Sequence, residues 1–134
     1  FEVVQSHFPG WKFRAPDTVA DWSLHGVLLL GEPVALEAIG PDASGTFESF
    51  TVDLHCDGQV QARGTGTDVL GSPLMALVHL ASVLERQPES PALQAGEVVT
   101  TGTITTAQPV RPGQSWRARF HGIPLAEIAL DFVA

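Results

Sequence analysis

The sequence predicts an α+β fold, mainly β-strand with one or two helices. Three observations carry this expectation. Residues Phe47 to His55 alternate in polarity and run into Asp57-Gly58, the pattern of a half-buried strand entering a hairpin. Leu74, Leu77, Leu80, Ala81 and Leu84 recur at helical spacing behind Ser72-Pro73. The other apolar stretches are short and are punctuated by turns drawn from 13 glycines and 10 prolines. Many strands and one clear helix make a mostly antiparallel sheet with a helix packed on it.

Taken in order, Glu2 to Gln5 is a short strand end, with β-branched Val3 and Val4. Pro9-Gly10 breaks the chain. Leu24 to Leu30 is nearly continuous apolar sequence closed by Gly31 and predicts a buried strand. Val34 to Ile39 predicts another strand, and Pro41 to Gly45 a turn. In the strand that follows, Phe50, Val52 and Leu54 share one face while Ser49, Thr51 and Asp53 share the other. Gln59 to Ala62 is its return strand. Gly64-Thr65-Gly66 predicts a flexible loop. Ser72 is a natural N-cap with Pro73 at the first helical position, and the helix ends near Gln87-Pro88. Glu97 to Thr103 predicts a strand leaving a Gly96 turn. Ser115 to Phe120 and Leu125 to Phe132 predict a closing hairpin around His121-Gly122-Ile123-Pro124.

The 134 residues suit one domain, with 44% apolar and 16% charged side chains arguing against disorder. A net charge of −8, with only seven Lys and Arg, argues against nucleic acid and anionic membrane as partners. The single cysteine, Cys56, permits neither an internal disulfide nor a Cys-rich metal site, so a cytoplasmic setting is expected. No run approaches the ~20 uninterrupted apolar residues of a membrane span. Cys56 adjoins a hairpin turn, a poor place for an activated thiolate. Nucleophile elbow, phosphate loop, dinucleotide fingerprint and zinc-helix spacing are all missing from the sequence.

The charged chemistry gathers early. FEVVQSHFPGWKFRAPDTVAD holds Glu2, the only lysine (Lys12), Asp17 and Asp21 in a chain otherwise poor in charge. It opens without Met or leader, and is read as the C-terminal portion of a catalytic domain whose N-terminal part lies outside it.

This segment resembles a metal-ligand region of the 2-keto-4-pentenoate hydratase and 4-oxalocrotonate decarboxylase group of the fumarylacetoacetate hydrolase superfamily. The likeness lies in its apolar-Glu-aliphatic-aliphatic start, Lys-Phe pair and Asp-x-Val-Ala-Asp. Three further blocks resemble the group in register: GTGTDVLGSPLMALVHLASVLE, LQAGEVVTTGTITTAQPVRPGQSW and RARFHGIPLAEIALDF. Departures are His7 where the group commonly has Arg, Trp22-Ser23 where it has Asn-Ala, and Gln114 where it has Asp.

The resemblance implies a mixed sheet rolled into a barrel-like sandwich, and Mg²⁺ or Mn²⁺ held by three carboxylates. Of these, Glu2 alone falls in this chain. A hard divalent cation takes oxygen ligands, chelates a 2-oxo acid and stabilises its enolate. Hydration of a 2-hydroxy-2,4-dienoate and decarboxylation of 4-oxalocrotonate need the same electron sink, so hydratase leads and decarboxylase is the alternative. An acylpyruvate-type C–C hydrolase and a non-catalytic fragment or partner-binding subunit are further alternatives. A homo-oligomer, associating with a partner enzyme of the same pathway, is expected.

Each residue has a bland role beside its functional one. Glu2 as metal ligand competes with a solvated strand-end carboxylate. Lys12 as electrostatic partner of metal or substrate competes with a surface lysine. Asp17 and Asp21, as acceptors orienting Lys12 or metal-bound water, compete with turn and cap carboxylates. His7 and His25, as donors or proton carriers, compete with structural histidines. Thr101, Gly102 and Thr103 look like the group's substrate-carboxylate loop, against a Thr-rich strand end. Ser72 can present a helix N-terminus to an anion, but its main expected part is shaping the helix start. His79 is expected to pack or face solvent, and His55 and His121 to be exposed. Trp11, Trp22 and Trp116 are expected in the core or at subunit contacts.

Overall fold

A computed structural model describes residues 1–133. The chain divides into two compact units, Phe1–Pro33 and Val34–Ala134.

In the first unit, β1 (Glu2–Val4) pairs antiparallel with β2 (His25–Leu28). Between them lie a 3-10 turn at Pro9–Trp11, the short helix α1 (Ala15–Ala20) and a turn at Trp22–Leu24. Pro16 and Asp17 explain α1. Proline suits a first turn, and the Asp17 carboxylate accepts the Arg14 backbone N–H at 2.8 Å. The turn after α1 is unusual, because Trp22, Ser23 and Leu24 all take positive φ, at 51°, 56° and 63°. The Leu24 N–H closes it on the Asp21 carbonyl at 2.8 Å. The expected buried strand Leu24 to Leu30 is corrected to a four-residue strand with alternating exposure and Val27 exposed. A two-stranded ladder has a partner on one side only and covers little of its faces.

The second unit is built on one antiparallel sheet in the order β4-β3-β5-β6, with β3 Thr51–Cys56, β4 Gln59–Thr65, β5 Ser115–His121 and β6 Ile128–Asp131. Asp57 and Gly58, both at positive φ, make the β3–β4 turn foreseen from sequence. Phe50, Val52 and Cys56 bury one face, joined by Trp116, Ala118, Val69 and Ile123. Arg117 and Arg119, on the opposite face of β5, both reach Glu127 just before β6. Every pairing in the described residues is antiparallel and the sheet is open, with β4 and β6 as its edges. This replaces the mixed sheet that the resemblance implied.

The helix α3 (Pro73–Glu85) starts where expected, with the Ser72 hydroxyl accepting the Leu74 N–H at 3.3 Å. Leu74, Leu77, Leu80 and Leu84 are half-buried, whereas Ala81 is exposed and leaves the predicted stripe. Gly66–Glu85 is apolar enough by composition to cross a membrane. Leu70 and Gly71 at positive φ interrupt it, however, and the 13 helical residues of α3 extend only about 20 Å, against ~30 Å of hydrocarbon.

Four other expectations change. Val34 to Ile39 holds a 3-10 turn, Leu36–Ile39, instead of a strand. Pro41 to Gly45 and the first residues of the predicted Phe47 strand form helix α2 (Ala43–Ser49), because Asp42 caps it by accepting the Gly45 N–H at 3.0 Å. Glu97 to Thr103 is irregular. Its valines have no strand to pair with, and the Glu97 carboxylate instead closes a turn on the Gln94 N–H. Gly64-Thr65-Gly66 is no flexible loop. Gly64 and Thr65 finish β4, and the two glycines leave room for the carbonyls of Ile104 and Phe47 respectively.

Candidate active site

The first unit gathers most of the sequence's candidates, and its short ladder sets their geometry. Glu2 and Val4 point to one face of β1, and His25 stands opposite Val4 on β2. The diagonal brings Glu2 Oε1 to 3.8 Å from His25 Nδ1, with both side chains partly open to solvent. Glu2 is therefore a hard oxygen donor on an accessible face, neighboured by one imidazole.

A second pair forms just past the ladder's end. The Gln5 N–H bonds the Leu24 carbonyl at 2.9 Å, extending β1 and β2 by one rung. Beyond it, His7 Nδ1 lies 2.7 Å from Asp21 Oδ1. The Asp21 side chain is 18% exposed against 70% for His7. The other Asp21 oxygen, Oδ2, is buried and has no hydrogen-bond partner among the described residues.

The remaining candidates are less convergent. Asp17 is engaged in capping α1. Lys12 is exposed and makes no ion pair among the described residues, so Asp21 holds His7 where the sequence suggested Lys12 or metal-bound water. Thr101, Gly102 and Thr103 lie in the second unit. Gly102 has a φ of 126° and a Cβ there would meet Val69 Cγ1 at 3.3 Å, while the Thr103 hydroxyl donates to the Thr105 carbonyl. Ser72 is 2% exposed and its hydroxyl serves the helix cap. His55 is half-buried, with Nε2 buried and without a hydrogen-bond partner among the described residues; His121 and His79 are exposed. Trp116 is in the core, whereas Trp11 and Trp22 are exposed.

Sequence reasoning named His7, Asp21, Glu2 and His25 but not their pairing. The signal for it was weak: a histidine and an aspartate flanking a short capped segment, joined only once β1 and β2 are seen to pair.

No group of three or more His, Cys, Asp or Glu is placed to hold a metal ion among the described residues. Glu2 fits a hard divalent cation as one ligand of a larger set.

This chain belongs to the fumarylacetoacetate (FAA) hydrolase C-terminal family, whose sequence model matches residues 10–129. It is 34% identical over 123 residues to a 2-keto-4-pentenoate hydratase of Paraburkholderia phymatum, covering 91% of this chain and 44% of that protein. It is 33% identical over 124 residues to a 4-oxalocrotonate decarboxylase of a Pseudomonas species, with the same coverage of 91% and 44%. Its structure matches 4-oxalocrotonate decarboxylase from Pseudomonas putida G7, complexed with magnesium and adipate, with a TM-score of 0.79 at 30% identity; the match covers 98% of this chain and 47% of that one. The chain thus spans about half the length of the relatives it matches.

Proposed function

We propose that this chain is the Glu2-bearing C-terminal portion of a divalent-metal-dependent hydro-lyase that adds water to 2-hydroxy-2,4-dienoates in the breakdown of aromatic compounds. Family membership over residues 10–129 supports an enzyme of this group, and 2-keto-4-pentenoate hydratase is the more frequent name among its relatives. The observation that carries the site is Glu2, an accessible carboxylate on the ladder face beside His25.

In this reading Glu2 is one oxygen ligand of Mg²⁺ or Mn²⁺, and further ligands come from residues other than those described. When bound, the ion supplies an electrophile for charge developing on a 2-oxo acid. Lys12 offers its ammonium to the substrate carboxylate. His7 and His25 carry protons, and Asp17 fixes the segment that holds Lys12 by capping α1. Thr101, Gly102 and Thr103 receive the anionic end of the substrate, and Ser72 acts by shaping the start of α3. The working enzyme is a cytoplasmic homo-oligomer, a role suited to the exposed Trp11 and Leu70.

One observation favours a second reading on the same scaffold: two solved structures that match are of a 4-oxalocrotonate decarboxylase. The full-length protein, supplied with Mg²⁺ and each substrate in turn, separates the two. Hydration without CO₂ release supports the hydratase, and CO₂ release supports the decarboxylase. No metal-dependent turnover of either overturns both and leaves a partner-binding role.

A further inference from the structure

We propose that His7 and Asp21 form an acid–base dyad, with His7 presenting Nε2 to substrate as the catalytic nitrogen and Asp21 acting as the positioning residue behind it. The inference rests on reading the first unit as catalytic, but its principal test does not require activity.

The geometry assigns the roles. Asp21 is half-buried and its Oδ1 lies 2.7 Å from His7 Nδ1, while the His7 ring is mostly exposed. An ionised carboxylate only accepts hydrogen bonds, so the short contact places a proton on Nδ1. The neutral ring then keeps its lone pair on Nε2, the reverse of the tautomer that free histidine favours. A histidine so held turns an unprotonated nitrogen to its exposed side.

The backbone on both sides is fixed to maintain the pair. Ser6 accepts the Phe8 N–H at 3.1 Å, bracketing His7. The Asp21 carbonyl is tied to Leu24 across three consecutive residues at positive φ, a conformation that costs bulky L-residues energy and persists only where the surroundings enforce it. The unpartnered Oδ2 leaves the Asp21 carboxylate with the His7 contact as its one side-chain partner among the described residues.

The step is a proton shuttle. The enol O–H of the substrate breaks as an N–H bond forms at His7 Nε2, giving an imidazolium beside Asp21. That imidazolium then returns a proton to carbon, breaking N–H and forming C–H. The ketone results with no net gain or loss of protons.

The test is imidazole nitrogen NMR on the full chain at a pH where His7 is neutral. Wild type is expected to show the Nδ1–H tautomer at His7, and Asp21→Ala to return it to Nε2–H. An Nε2–H tautomer in wild type overturns the dyad, and the wild-type spectrum decides even if the variant fails to fold. In the full-length enzyme, His7→Gln is expected to lower kcat by about 100-fold or more with KM little changed. An unchanged kcat overturns the catalytic role. A correct tautomer in a protein that turns over neither dienoate nor oxalocrotonate sustains the pairing and sinks the functional reading instead.

Discussion

Glu2 Oε1 and His25 Nδ1 stand 3.8 Å apart on the same face of the β1–β2 ladder. The register makes this contact, since His25 pairs with Val4 and strand alternation puts Glu2 on Val4's side. Glu2→Gln keeps the shape and removes the charge. It is expected to weaken Mg²⁺ binding by the full-length protein by at least about 100-fold, because even outer-shell partners of a metal typically contribute 10–100-fold. Titration calorimetry measures the loss, and thermal unfolding in chelator is expected to show an unchanged apo fold. Exhaustive chelation of wild type is expected to abolish turnover, with Mg²⁺ restoring it.

Gly64→Ala tests how the irregular segment after Gly96 is fastened. A Cβ at Gly64 would overlap the Ile104 carbonyl, and backbone yields less than a flexible side chain. Overpacking of this kind costs about 1–3 kcal/mol. Urea denaturation is expected to show a lowered midpoint, and an unshifted one would mean that Ile104 does not rest on β4.

The sheet was legible because its signals are local. Phe50, Val52 and Leu54 alternate, Asp57-Gly58 turns, and Ser72-Pro73 begins a helix whatever surrounds them. The missed parts depend on partners. Val98 and Val99 read as strand but have no ladder to join, and α2 contains poor helix formers held by the Asp42 cap. At the site, residue types announced Glu2, His7, Asp21 and His25. Their pairing required the register of β1 on β2, which three- and four-residue strands specify too weakly to read.

Trp22 marks a place where residue and conformation disagree. It holds φ at 51° while 85% exposed. Asparagine tolerates the left-handed region better than tryptophan. Trp22→Asn is therefore expected to stabilise the protein by roughly 1 kcal/mol, since left-handed conformation costs an ordinary residue about 1–2 kcal/mol. Chemical denaturation checks it, and a loss of stability would show that Trp22 is covered in the assembled protein.

Cys56 is buried at 6% exposure, and burial raises its thiol pKa above the ordinary value, assisted by its contact with the Asp57 carboxylate. The thiolate that reacts with alkylating agents is therefore scarce and enclosed. Iodoacetamide is expected to label native protein far more slowly than urea-unfolded protein. Equal rates would place Cys56 outside the core.

Glu127 gives the fold a defined acid sensitivity. Hydrogen bonds from Arg119 and then Arg117 lower its carboxyl pKa below the ordinary 4.5. The unfolded chain thus binds a proton at higher pH than the folded one, and folding is favoured wherever the carboxylate is ionised in both. That stabilisation is complete above the ordinary value and disappears as pH falls through the depressed folded value. Glu127→Gln lacks it at every pH. The urea midpoint of wild type is therefore expected to exceed that of Glu127→Gln at pH 7, the gap closing below about pH 4.5. Because the three side chains are partly exposed, added salt is expected to narrow the gap at neutral pH. A gap that persisted at pH 2 would assign the effect of the substitution to packing, and the arginine pairing would then contribute nothing to stability.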